Sequence, residues 1–392
     1  MLITKGPYLQ NPCNNAITIR WETDVASTSE VRMYNTFLPH VPRLEIAKLR
    51  AQTITGAPRI FTGCEGTLHS VIVDGLAAGC DYCYEVCSKC GEDEVVSELH
   101  SLRAAPDKDT AFSFVLLAEN GGVGDPDNKY TAPILNLVKR EHPDFIMSVG
   151  DIVHNGTLES DWDTYFFSPF ANLIADVPFY PCVGNHEVNG MAIPDADVVA
   201  RYKNYEKYFA FPRNYSFDYG CAHFCVIDCP SMFEEMATTD TERFVPCLKK
   251  DIESCEQYAF LKKDLEGSQA KWKFVVFHYP PYTSAVFDVR ELQPLASLFE
   301  KCGVDIVFNS HAIIYERSHP IKEERVSKDG VRYILVGGFG CFEHWLRDKR
   351  SRFAAKLSSR PNYVHVSLTP FSLELQAIDH EGKLFDTLTL EK

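Results

Sequence analysis

Apolar and polar positions alternate through the first hundred residues. In 16–23, Ile17, Ile19 and Trp21 alternate with Thr18, Arg20 and Glu22, the period-two pattern of a strand with one buried face. Val31 and Met33 repeat it, as do Val71 and Val73, then Tyr82, Tyr84 and Val86. Short strands divided by Gly, Pro and Asn turns, with no helical period, predict an all-β sandwich over residues 1–105, and 101–108 (SLRAAPDK) reads as a linker. From about residue 111 the period changes. Short apolar runs at 112–118, 145–149, 177–183, 217–227, 273–277 and 304–308 alternate with helical stretches at 131–140 and 258–265. That alternation predicts a layered α/β domain over residues 110–392, closed by a hairpin or meander from 363 to 390.

Polar clusters follow most of these runs, where strand ends present side chains to a shared crevice. Glu119-Asn120-Gly121-Gly122 follows the first, Gly150-Asp151 the second and Gly184-Asn185-His186-Glu187 the third. His278 and Ser310-His311 follow later ones. Carboxylates, an amide and imidazoles on separate strand ends form a mixed oxygen and nitrogen ligand set. Such a set suits Mn²⁺, Fe or Zn²⁺ better than a thiolate metal or Mg²⁺ alone.

Length and charge narrow the function. The 392 residues suggest two domains. Lys plus Arg is 39 against 54 Asp plus Glu, a net charge of −15, which argues against a nucleic-acid or anionic-membrane partner. An anionic substrate is still admissible, because a metal ion supplies positive charge locally. No apolar run reaches the roughly 20 residues of a membrane helix. The start, MLITKGP, has no apolar leader, so a cytoplasmic location is expected, or secretion if the chain is a trimmed mature form. Oligomeric state is not legible.

The blocks GD (150–151), GNHE (184–187), FHYPPYTS (277–284) and SHAIIYER (310–317) stand in that order and resemble the calcineurin-like metallophosphoesterases. With a preceding β domain that begins GPYLQNP, the similarity is to bacterial relatives of the purple acid phosphatases. The segment 76–82 (LAAGCDY) resembles the fibronectin type III loop that ends in a corner tyrosine, with Ala78 where Pro is usual. The resemblance implies a fibronectin III-like domain followed by a four-layer α/β/β/α sandwich. It also implies hydrolysis of a small phosphate ester, a monoester first, by metal-activated water, with one or two divalent ions (Mn, Zn or Fe). Carried over by position, Asp151 is the bridging carboxylate, and Asn185, His278 and His311 are the other ligands of one ion. His186 acts on the phosphoryl group or the leaving oxygen, oriented by a carboxylate such as Glu187.

The second ion's site departs from the family pattern. Glu119 stands for an Asp, His154 for a phenolate Tyr, and Ile313 for the second His of Gly-His-x-His, which here reads Ser310-His311-Ala312-Ile313. Phe287 and Asp288 replace histidines that some plant members carry. In one interpretation Glu119, Asp151 and His154 rebuild the site; in the other it is lost and a single ion remains. A degenerate member that binds a ligand or partner without turnover is the alternative function.

Several residues have plainer roles available. His154 reads equally well as a loop residue. His223 reads as packed, Arg317 as paired with a carboxylate, and Tyr279, Tyr282 and Trp345 as core or as a substrate wall. His344 follows a glycine-rich turn and is a weak candidate to line the cleft. Cys80, Cys83, Cys87 and Cys90 have chelate spacing, but an extended strand points 80 and 83, and 87 and 90, to opposite faces. Cys221, Cys225 and Cys229 fit one strand face as small buried hydrophobes.

Overall fold

The computed structural model describes residues 1–13, 15–36, 54–188, 198–234, 247–340 and 345–392. His344 falls outside them.

The regular elements among the described N-terminal residues are all strands. Six strands, Ile3–Cys13, Ala16–Thr36, Ile54–Val73, Asp81–Cys90, Asp93–Val96 and His100–Arg103, belong to one hydrogen-bonded network. The patterns at 16–23 and 31–33 prove to be one strand of 21 residues. The polar stretch between them looks like a turn in sequence, but bulges between Glu22 and Ser29 absorb it. The first half of that strand pairs with 3–13 and the second half with 81–90, so the sheet folds over a core of Leu9, Ile19, Trp21, Val71 and Tyr84. The corner tyrosine is present: Ala77 N–H donates to the Tyr82 hydroxyl at 2.8 Å. Cys83 and Cys87 are buried while Cys80 and Cys90 are exposed. Alternation therefore keeps the four thiols from a common centre, and Cys87 is engaged by Glu94 and Arg32 instead.

Two large sheets build the second region, with two short two-stranded ribbons beside them among the described residues. One has seven strands in the order Tyr215–Tyr219, Ala222–Val226, Trp272–Val276, Ile306–Asn309, Arg332–Leu335, Tyr315–Ser318 and Ala354–Ser358. The other has six: Leu384–Glu391, Ser372–Asp379, Asn362–Leu368, Phe112–Leu117, Phe145–Ser148 and Phe179–Tyr180. Their inner faces meet in an aromatic core, where Phe114 stacks on Phe145 at 5.0 Å and meets Phe224 edge-on at 5.2 Å. Helix Thr131–Glu141 covers the six-stranded sheet with Ile134, Leu135 and Val138. Helices Glu256–Gly267 and Leu295–Cys302 cover the other with Leu261, Leu265 and Phe299. This is the layered α/β/β/α arrangement that the resemblance implies, preceded by a β-rich region.

The run 217–227 is a hairpin rather than one strand, because Gly220 turns the chain at φ 54°. As a result Cys221 packs between the sheets, and Cys225 and Cys229 pack beneath the outer helices. The C-terminal meander forms as expected. No described helix is long and apolar enough to cross a membrane.

Candidate metal centre

Parallel pairing aligns the strand ends. Phe112–Leu117 runs alongside Phe145–Ser148, and Trp272–Val276 alongside Ile306–Asn309. The residues just past these ends, Glu119, Asp151, His278 and His311, therefore emerge on one side of the two sheets. The backbone there is strained in a concentrated way. Glu119, Asp151, His311 and Ile313 all have positive φ, from 49° to 67°, a conformation that costs non-glycine residues and gathers at functional sites. Two glycines permit the close approach: a Cβ on Gly150 would meet His278, and one on Gly184 would meet the Asp151 backbone.

Ligand atoms of Asp151, His278 and His311 lie within 4.8 Å of one another. His278 Nδ1–H donates to the Val149 carbonyl at 2.8 Å. The other nitrogen, Nε2, then faces Asp151 Oδ2 and Asn185 Oδ1, both at 3.1 Å. These atoms need positive charge between them, which a proton on Nε2 supplies in the free chain and a metal ion would supply in its place. Without an ion the proton is firmly held. Burial opposes charge on His278, but Asp151 and Glu119 outweigh it and raise the imidazole to about 9. Burial likewise opposes ionisation of Asp151, yet His278, His186 and His311 hold its carboxyl below the ordinary range. Burial, helped by the charge of His278, lowers His311. These side chains fit a divalent ion, which Asp151, His278 and His311, with Asn185 beside them, would hold.

Glu119, Asp151 and His278 are buried, whereas Asn185, His186, His154 and His311 are partly exposed, so the centre opens on the His186 side. His186 Nδ1–H donates to the His154 carbonyl at 2.7 Å, leaving Nε2 3.9 Å from Asp151 Oδ2. The orienting group of His186 is thus a backbone carbonyl and not a carboxylate. Glu187 is occupied elsewhere: it accepts the backbone N–H groups of Gly184, Asp151, Ile152 and Val153 at 2.7–3.1 Å. Burial and the Asp151 charge push Glu187 up to about 7.

Glu119 sits beside the centre, with Oε1 3.9 Å from His278 Nε2. That oxygen accepts from Ser310 Oγ–H at 2.7 Å and His311 N–H at 2.6 Å, while Oε2 is buried with no hydrogen-bond partner. Burial, then Asp151, raises its carboxyl to about 8. His154 is apart from the Asp151–His278–His311 group; its Nδ1 is 3.2 Å from the Gly121 carbonyl and its ring lies 5.2 Å from that of His186. Ile313 is buried beside Gly340 and Val123.

An aromatic rim borders His311. Tyr279 lies 4.7 Å from it, Phe287 5.6 Å, and Trp345 meets Phe287 at 4.7 Å. Tyr282 instead packs on Tyr333 and Phe353. His223 is buried between Asp218 and Asp264, each at 2.7 Å, and Arg317 makes a two-pronged ion pair with Asp386. Sequence reasoning missed the part of Ser310 and the true partners of Glu187. A Glu immediately after the Asn-His pair was the available signal for the second.

The chain belongs to the calcineurin-like phosphoesterase family, whose model matches residues 95–315. Within that class it is homologous to purple acid phosphatases. It is 27% identical to purple acid phosphatase 15 of Arabidopsis thaliana over 70% of this chain, and spans 54% of that protein's length. It is 25% identical to acid phosphatase type 7 of Mus musculus, covering 97% of this chain and 88% of the mouse protein. Among solved structures, the purple acid phosphatase PPD1 from yellow lupin, Lupinus luteus, shares the fold with a TM-score of 0.74. That match has 18% identity and covers 98% of this chain and 74% of PPD1.

Proposed function

We propose that this protein hydrolyses small phosphate esters, monoesters first, at the centre formed by Asp151, Asn185, His278 and His311. The observation that carries this is the convergence of acceptor atoms about His278 Nε2, at 3.1 Å from both Asp151 and Asn185, beside the exposed His186. A bound divalent ion (Mn, Zn or Fe) would polarise the phosphoryl oxygens and lower the pKa of a water. The chain's own groups do the rest. Val149 and Asp151 keep His278 aimed inward, and His186 N–H donates to Asp151 Oδ1 at 2.9 Å, holding that carboxylate in place. With Nδ1–H tied to the His154 carbonyl, His186 Nε2 is the atom placed to pass a proton to the leaving oxygen. Phe287 and Trp345, partly exposed beside His311, give the leaving group an apolar flank.

The test is phosphate release from an aryl phosphate by protein loaded separately with Mn²⁺, Zn²⁺ or Fe²⁺, at acidic and neutral pH. Turnover is expected to depend on the ion and to vanish in His278→Ala. No turnover with any ion overturns the proposal. Ile313, buried where the resemblance calls for a ligand, favours a second reading, a phosphate-binding protein without turnover. Affinity for inorganic phosphate with no hydrolysis is its signature.

A further inference from the structure

We infer that this chain builds one cation site, and that Glu119 serves it by fixing His311 rather than by holding a second ion. The inference rests on the metal reading above and adds a count and a role to it. Asp151, His278 and His311 form the sole grouping of three such side chains with ligand atoms within 4.8 Å among the described residues. The residues a second ion would use do not converge on one point with Asp151. His154 Nδ1 faces the Gly121 carbonyl and its ring flanks His186. Ile313 offers only carbon and is buried.

Glu119 Oε1 accepts from two groups of the His311 turn, Ser310 Oγ at 2.7 Å and His311 N at 2.6 Å, across 191 and 192 residues of chain. Ser310 Oγ also lies 2.8 Å from the Val336 carbonyl, so its one proton is shared between strand ends. The carboxylate thereby pins the His311 backbone at φ 67°, a conformation it would not keep unaided. The longer arm of Glu is what spans this distance. Glu119 Oε2 is buried without a hydrogen-bond partner on the Asp151 side, and it is there, among the described residues, that a second ion would show itself.

The experiment is elemental analysis and calorimetric titration of metal-stripped protein with Mn²⁺ and with Zn²⁺, on the wild type, Glu119→Gln, Glu119→Ala and Ser310→Ala. Thermal melts confirm that each is folded. One ion per chain is expected in the wild type. Glu119→Gln keeps an acceptor oxygen for Ser310 and His311 and is expected to retain that ion with nearly unchanged affinity. Glu119→Ala is expected to weaken affinity about 10–100-fold, the effect of losing a group that orients a ligand, and Ser310→Ala to weaken it less. Two ions in the wild type falling to one in Glu119→Gln would overturn the inference, as would loss of all metal in Glu119→Gln. No ion in the wild type would instead sink the metal reading on which it rests.

Discussion

Replacing Glu187 by Gln should destabilise the protein by several kcal/mol while leaving its outline unchanged. The side chain is fully buried. Its Oε2 accepts from Asp151 and Gly184, and its Oε1 from Ile152 and Val153. An amide has one acceptor end and one donor end, so whichever way the new side chain lies, its NH₂ confronts two backbone N–H groups. Each hydrogen bond to a charged group is worth roughly 1.5–3 kcal/mol, so two lost bonds cost about 3–6 kcal/mol. That is a large part of the roughly 5–15 kcal/mol that holds a typical protein folded. The loop concerned carries Asp151 at φ 54°, so metal affinity should fall in parallel. The assay is urea unfolding at pH 8, above the value of about 7 to which Glu187 is raised, comparing midpoints at constant slope, with Mn²⁺ titration alongside. A loss below about 0.5 kcal/mol, the level of an ordinary surface substitution, would refute the reasoning and show that the loop holds its own shape.

Three further outcomes can be checked. His186→Ala should leave metal binding intact and reduce turnover about 10²–10⁴-fold, more for alkyl than for nitrophenyl phosphate, because the latter leaves without a proton; equal losses for both would count against a proton donor. His223 is raised to about 9, because Asp218 and Asp264 outweigh its burial. A folded value above the unfolded one means that its stabilisation is complete below about pH 6.5 and disappears as pH rises through about 9. Wild type and His223→Gln should therefore differ in melting temperature at pH 6 and converge above pH 9; a constant difference would refute this. Tyr82→Phe removes the bond from Ala77 N–H and should cost about 1 kcal/mol in urea unfolding, with an unchanged midpoint showing that the corner is held by packing alone.

Much of the frame was legible because it is local. Period-two alternation in Ile17, Ile19 and Trp21 states which face is buried, whatever that face meets. The segment 76–82 announced a corner bond that the structure contains. The same logic failed where continuity depends on a partner. Nothing in 24–28 says that bulges will carry one strand through, and nothing in 217–227 but Gly220 says that a run will fold back. In the site, Asp151, Asn185, His278 and His311 were legible as polar residues directly after apolar runs, since parallel strands deliver their ends to one crevice.

Which atom each side chain addresses was decided only by tertiary contact. Glu187 looked like the partner of His186 and is instead the acceptor for the Asp151 loop. Glu119 gives one oxygen to the His311 turn, 192 residues away, and leaves the other without a hydrogen bond. His154 was equally a ligand or a loop residue in the sequence; in the fold its carbonyl orients His186 and its ring turns to Gly121. The physical reason is that periodicity encodes the face of an element, a property of neighbours in the chain. A hydrogen bond is chosen instead by direction and distance between elements far apart in sequence, and those exist only once the two sheets have packed.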